Sequence, residues 1–280
     1  MKTNYIEKQT NFGLPDPLED ILNIPRSIVA IAREYPAGHL ALFHQHARAQ
    51  FLYASSGVMT VTTDVGIWAV PPHRAVWIPA LTRHQIKVTG HFSMRSIYID
   101  PSVVSNAPTG CCVVDVSPLL KELILHAVEI PDLYPIGGPE ERIMLVILDQ
   151  IRHLRKTPLE LPIPEDVRLK RIYDALAANP ADNRTIDDWG NLVGATSRTL
   201  SRHFRSETGM TFSRWRQRVR VLEALKRLEL KEAVTAVAYD LGYESPSAFI
   251  SMFKKVLGKT PGQYLNRSGQ KDDNVYLSYF

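Results

Sequence analysis

The chain has 280 residues, 45% hydrophobic and 22% charged, which is enough for a sizeable core in two domains and excludes general disorder. No run approaches 18 uncharged apolar residues and the N-terminus has no secretory apolar segment, so the expectation is a cytoplasmic protein with no membrane association. The net charge of +4 is uneven: residues 1–164 hold 14 basic and 15 acidic side chains, residues 165–267 hold 18 and 12, and this local excess suits a polyanionic partner.

In chain order, residues 27–100 read as short strands: SIVAIAREY, LALFHQH, QFLYASSG, VMTVTT, GIWAVPP, RAVWIP, HQIKVTG and MRSIYID. Gly, Pro and polar turns separate them, which predicts a small barrel or sandwich. Adjacent Cys111 and Cys112 have no metal-type spacing and read as small hydrophobes. Ser117 and Pro118 open a first helix. In a second, Ile143, Leu145, Val146, Leu148 and Ile151 line one broad side, for covering the β-domain or pairing with a second copy. The proline-rich TPLELPIPED reads as a semi-rigid linker, short helices follow to about Arg267, and the end is a tail. The expected domains are 1–115, 116–156 as a helical dimerisation or packing segment, 157–166 as linker, 167–268, and 269–280 as tail.

Histidines mark a candidate metal site in the first domain. His44 and His46 are two apart in a strand-like run and share a face. If the strands bring His84 opposite, three imidazoles could hold Zn, Ni, Fe or another divalent first-row ion, with Gln50 as a weaker oxygen ligand. The alternative is three hydrogen-bonded histidines at the mouth of the domain. His39, His73 and His91 show no comparable ligand spacing and read as surface or satisfied residues. Tyr53, Trp68, Trp77 and Tyr98 are candidate lining for a ligand pocket, or aromatic core.

The C-terminal third repeats itself. Leu200 and Phe204 recur as Phe249 and Phe253, Arg205 as Lys254, Gly209 as Gly258 and Thr211 as Thr260, each 49 residues on. In each copy a glycine, Gly194 or Gly242, precedes a capped helix whose paired apolar residues, four apart, form an inner face. The outer faces show Arg198, Ser201, Arg202 and Arg205 in one copy, and Ser247, Ser251 and Lys254 in the other. Arginine can engage both acceptors of guanine, serine can donate to a base edge or phosphate, and lysine mostly contacts phosphate. TFSRWRQRVRVLEALKRLEL reads as the joining helix, with Trp215, Val219, Leu222 and Leu225 as core.

The stretch AVTAVAYDLGYESPSAFISMFKKVLGKTPGQY resembles the signature of the C-terminal DNA-binding domain of AraC-family transcription regulators, over residues 185–264. The resemblance implies two helix-turn-helix units. Their base-contacting positions fall on Arg198, Ser201 and Arg202 in the first, and on Pro246, Ser247 and Ser251 in the second, with Arg205 and Lys254 suited to the backbone. Pro246 departs from the pattern because it offers no donor, and the second reading face has no arginine, so the first helix is expected to carry most discrimination. Gly38, His44, His46, Gln50 and Gly57 resemble the first cupin motif, with glutamine replacing glutamate; Pro79 to His84 imitate the second, with Leu81 in the glycine position. YASSGVMTV and PPHRAVWIP are similar to phrases in AraC-type regulators with a cupin sensor.

The resulting expectation is an N-terminal all-β cupin-like barrel with following helices, and a C-terminal all-α domain with two helix-turn-helix units. Together they imply a homodimeric, sequence-specific regulator of transcription that binds double-stranded DNA and answers a small-molecule effector or a metal. Such regulators often control a neighbouring export or catabolic gene. The alternatives are a cupin metalloenzyme with an appended DNA-binding domain, or an architectural DNA binder with an inert first domain.

Overall fold

The computed structural model describes residues 21–104, 107–153 and 156–268, with side chains up to Tyr264. The expected tail and the N-terminal stretch read for a signal lie outside these residues. The chain divides into two compact units, the first ending at Glu160 and the second starting at Leu161.

The first unit is built on eight strands: β1 (Ile28–Tyr35), β2 (Leu40–His44), β3 (Ala49–Thr63), β4 (Gly66–Val70), β5 (Arg74–Ile78), β6 (His84–Ile99), β7 (Cys112–Asp115) and the boundary strand β8 (Glu160–Pro162). Four of the predicted strands fuse into two. QFLYASSG and VMTVTT form the single β3, while HQIKVTG and MRSIYID form β6. Gly57 and Gly90 have left-handed backbones with φ of 77° and 74°, and the β3–β6 register shifts between Ala54 and Val58. These glycines therefore bend a continuous strand pair at a bulge, where turns were expected.

Each half of the pair recruits different neighbours. The part of β6 from Phe92 to Ile99 pairs with β1, and the part starting at His84 pairs with β2. The first half of β3 pairs with β5 and the second with β4. The sheet path runs β1-β6-β3-β4-β8, with β7 added on β5. No strand pair among the described residues joins the two ends of this path. The closed cupin-like barrel is thus corrected to an open, sharply bent sheet: the bulge turns the two long strands, but the outer strands are too short to complete a ring of hydrogen bonds.

Helices α1 (Pro118–Ala127) and α2 (Pro139–Arg152) cover one face of the sheet. Phe51, Tyr53, Trp77 and Ile97 pack against Leu120, Ile124, Ile147 and Ile151. Ser117 caps α1 by accepting from Leu120 N–H at 3.1 Å. In α2 the buried stripe is Met144, Ile147, Leu148 and Ile151, while Leu145 and Val146 are exposed. The spacing i, i+3, i+4, i+7 is all that one helix can turn toward a sheet, so the broader predicted face splits. The segment read as a linker is itself hydrogen-bonded: Thr157 N–H donates to Val113 at 2.7 Å, and the Leu159 carbonyl accepts from Ala69 N–H at 3.2 Å.

The second unit is helical: α3 (Val167–Ala178), α4 (Ile186–Val193), α5 (Ser197–Thr208), α6 (Phe212–Glu229), α7 (Val234–Asp240), α8 (Pro246–Leu257) and α9 (Pro261–Ser268). The sequence echo is an echo of caps. Gly209 and Gly258 both end a helix with left-handed φ, at 68° and 76°. Thr211 and Thr260 both cap the next helix through their hydroxyls. Phe204 packs on Phe212 and Trp215 of α6, with ring centroids 5.3 and 5.6 Å apart, and Phe249 packs on Phe253. Both helix pairs share α6, so the expected two units are corrected to one domain with a common core.

Gly57 has no room for a side chain. A Cβ there would stand 2.5 Å from the His91 carbonyl oxygen, in backbone that already disfavours L side chains. Gly57→Ala is expected to destabilise the N-terminal domain by about 3 kcal/mol in urea unfolding; a loss within the range of a surface substitution would show that the bulge relaxes freely.

Candidate functional site

Helix α5 owes its orientation to a tight turn. Gly194 ends α4 with φ of 71°, and Gly190, inside α4, leaves room for the Ala195 carbonyl, which would lie 2.4 Å from an added Cβ. Thr185 and Asp188 form a capping box at the start of α4, Thr196 caps α5, and Trp189 is buried. Leu200 and Phe204 are fully buried, whereas Arg198, Arg202 and Arg205 are exposed and Ser201 is half-buried. Among the described residues these three arginines make no ion pair. Arg184, in contrast, is tied to Asp182, and Arg227 to Glu232 and Asp240. The donors on α5 are therefore uncommitted.

On α8, Ser245 caps the helix and Pro246 occupies its first turn, half-buried. Ser247, Ser251 and Lys254 are exposed above the buried Phe249 and Phe253.

Arg220 was missed by sequence reasoning. It is 5% exposed and donates to the carbonyls of Pro180, Ala181 and Asp182 and to Asn183 Oδ1, with its guanidinium over the Tyr243 ring. Asn183 in turn donates to the Gly242 carbonyl at 2.9 Å. One buried arginine thus ties the entry to α4, the middle of α6 and the turn before α8. The available signal was a charged residue directly after Val219 in an otherwise apolar stretch of a helix.

In the first unit, His44, His46 and His84 converge, with ligand nitrogens all within 4.8 Å of one another. Pairing of β2 with the start of β6 sets His44 opposite His84. Each Nδ1 faces a backbone carbonyl: Leu42 for His44 at 2.8 Å, Arg48 for His46 at 2.6 Å and Thr82 for His84 at 2.8 Å. A carbonyl can only accept, so each Nδ1 carries a proton, which in the neutral ring leaves Nε2 with the lone pair. His84 Nε2 is buried without a hydrogen-bond partner. Gln50 donates from Nε2 to Ser96 Oγ and Tyr98 OH, which turns its Oε1 toward His46 Nε2 at 3.3 Å. Burial pushes the His46 imidazole down in pKa.

The donor set fits a cation. Contraction toward the roughly 3.4 Å nitrogen separation of a tetrahedral zinc site is needed, and half-buried His44 is the side chain with most room to move. Leu81, in the glycine position of the sequence pattern, keeps the left-handed backbone at φ of 61° and donates its N–H to the His46 carbonyl at 2.8 Å. Such a leucine costs about 1–2 kcal/mol.

The other candidate residues are dispersed. Tyr53 and Trp77 lie in the core facing the helices, Tyr98 lies in a separate cluster with Val29, and Trp68 is buried in β4. His39 stacks on Tyr35, and His91 stands 4.0 Å from Glu34. Asp166, His203 and Glu207 form a second converging group. Asp166, however, caps α3 and pairs with Arg168, while Glu207 accepts from the N–H groups of Glu165 and Asp166. That group is a clasp between α5 and the entry to α3.

An exposed cationic helix on a rigid helical domain, in one chain with a β-domain holding a polar interior site, defines a ligand-binding domain joined to a DNA-binding one. Residues 27–130 match the AraC-like ligand binding domain, and residues 189–267 match a helix-turn-helix domain. The match spans both helix pairs as one such domain, not two. The HTH-type transcriptional regulator NimR of Escherichia coli K12 is 35% identical over 224 residues, which cover 80% of this chain and 82% of NimR. RipA of Corynebacterium glutamicum, also an HTH-type transcriptional regulator, is 30% identical over 103 residues, covering 37% of this chain and 31% of RipA. The solved structure of ToxT from Vibrio cholerae O395 aligns at 13% identity with a TM-score of 0.38, covering 87% of this chain and 99% of ToxT, a likeness too low to bear on function. The chain belongs to the AraC family of transcription regulators. It is a DNA-binding regulator with a ligand-binding N-terminal domain, and its relatives set aside the enzyme alternative. Among the described residues, no helix is long and apolar enough to cross a membrane.

Burial first, and then the neighbouring His44, hold His84 down at about 3. The unfolded imidazole keeps its ordinary value near 6.5, so between these values the unfolded state binds the extra proton. The contribution is complete above pH 6.5 and is lost as the pH falls toward 3. In chelator, unfolding free energy is expected to drop between about pH 6 and 4 more steeply than in His84→Gln, by about 1.4 kcal/mol per pH unit; parallel slopes would mean that His84 is not held neutral by the fold.

Proposed function

We propose that α5 reads base edges in a duplex operator through Arg198, Ser201 and Arg202, with Arg205 on the backbone, while Pro246, Ser247, Ser251 and Lys254 of α8 mainly position the domain. The observation that carries this reading is the uncommitted, exposed arginine face of α5 above its fully buried Leu200 and Phe204. The chain then works in the cytoplasm, where its duplex is, and controls a gene such as a neighbouring export or catabolic one.

The N-terminal domain shifts operator occupancy when an effector binds one state better than the other, and a difference of a few kcal/mol suffices. A divalent first-row ion at His44, His46, His84 and Gln50 is one such effector or a structural ion; when bound it supplies positive charge to a neutral donor set. Of the aromatic candidates Tyr53, Trp68, Trp77 and Tyr98 for a small-molecule pocket, Trp77 lines one. Exposed Leu119 of α1 and Leu145 and Val146 of α2 support a homodimer formed through these helices.

Arg202→Ala is expected to cost about 1–3 kcal/mol on the specific operator and to relax discrimination at one base pair, measured by competition against mismatched duplexes. Equal losses on specific and random DNA would remove its reading role. Lys254→Ala should weaken both alike and lower the salt slope by about one. For the ion, stoichiometric uptake of zinc or nickel by the full chain, abolished in His46→Ala, is expected in equilibrium dialysis; uptake unchanged by that substitution would rule out this site.

A further inference from the structure

A pocket of about 260 Å³ lies between the sheet and the end of α2, on the face away from the histidines. Phe51 and Trp77, paired across β3 and β5, line it together with Val114 and Ile151. The Trp77 indole N–H is already spent on the Pro108 carbonyl at 2.9 Å, so that ring offers the pocket an apolar surface.

The polar part of the lining is entirely cationic: Arg152 and Lys156, with no carboxylate among the described lining residues. Arg152 is anchored by two of its nitrogens, through Asp149 at 2.8 Å and the Val103 carbonyl at 3.1 Å. Its Nε is buried and has no hydrogen-bond partner. Lys156 is held by a backbone bridge from its own residue to Val114 of β7 and makes no ion pair among the described residues. Two cationic side chains beside aromatic walls are half of a binding site for an anion with an apolar body.

We propose that this pocket binds a small aromatic carboxylate, its ring against Phe51 and Trp77 and its carboxylate paired with the Arg152 and Lys156 cations. The volume limits the ligand to about a single ring system with a short side chain. The proposal rests on the reading that the N-terminal domain takes a small-molecule effector, and it names that effector's chemical class. A ligand here would touch both the sheet and the last turn of α2, the helix that also exposes Leu145 and Val146.

The test is calorimetric titration of the full-length chain with benzoate, phenylacetate and indole-3-acetate, and with benzamide as the uncharged counterpart of benzoate. Saturable binding of at least one carboxylate is expected, with benzamide roughly tenfold weaker than benzoate or undetected. Arg152→Gln and Lys156→Gln should each weaken the binding carboxylate by roughly tenfold, and circular dichroism matching the parent chain establishes that each variant is folded. No saturation by any of the three carboxylates at millimolar concentration, or binding unchanged in both variants, overturns the proposal. Operator binding, measured in parallel, separates the two readings. Carboxylate binding that leaves operator affinity unchanged keeps this pocket and removes its role as the effector site. Zinc-dependent operator binding with no carboxylate uptake removes the pocket and keeps the responsive domain.

Discussion

The N-terminal domain depends on one constraint: two long paired strands must turn back on themselves. His84 and Tyr98 are 14 residues apart on β6, which an unbent strand would separate by roughly 46 Å. Both rings nevertheless lie with centroids 5.3 Å from that of His46. The turn is made where Gly57 and Gly90 take left-handed backbone and the β3–β6 register slips. Without that bend Gln50 and Tyr98 would stand at one end of the sheet and His44 and His84 at the other, and no polar interior site would form. The bend is also why β1 and β2, consecutive in the chain, both pair with β6 while serving opposite halves of the domain.

The helical domain solves a different problem, which is to hold short helices rigidly enough to present a surface. Isolated helices of eight to twelve residues are marginal in water, so their stability must come from packing. Here it comes from a line of rings, Tyr173, Trp215, Phe204 and Phe212, and from Phe249, Phe253 and Tyr264. Arg220 adds hydrogen bonds to three backbone carbonyls of the loop before α4. With the inner faces committed in this way, the outer faces can keep arginines unpaired, and unpaired cations are what a phosphate backbone rewards through released counterions.

The histidine cluster and the pocket under α2 lie on opposite faces of the same sheet. In the first, carbonyls fix a proton on each Nδ1 and turn the Nε2 atoms inward; the polar side chains of the second are both cationic. They call for opposite kinds of ligand, a cation in one case and an anion in the other. The glutamine at position 50 sharpens the contrast. It contributes no negative charge to the histidines, and its amide is instead spent on holding Ser96 and Tyr98.

Much of this was legible from residues alone, because the signals are local. Helix caps, glycines at turns, apolar spacing of four and the echo at 49 residues each act within a few bonds or one helical turn, so the C-terminal helices and their outer faces follow from them. The spacing of His44 and His46 likewise requires only the alternation of a strand. What the sequence could not decide was how strands separated by dozens of residues curve together. Gly57 and Gly90 looked like turns because a glycine's freedom permits a turn or a bulge equally, and only the pairing partners choose between them. For the same reason the open sheet was mistaken for a closed barrel, and two similar helix pairs for two separate units. Closure and independence are properties of which surfaces end up sharing a hydrogen-bond ladder or a core, and that choice exists only once the chain has folded.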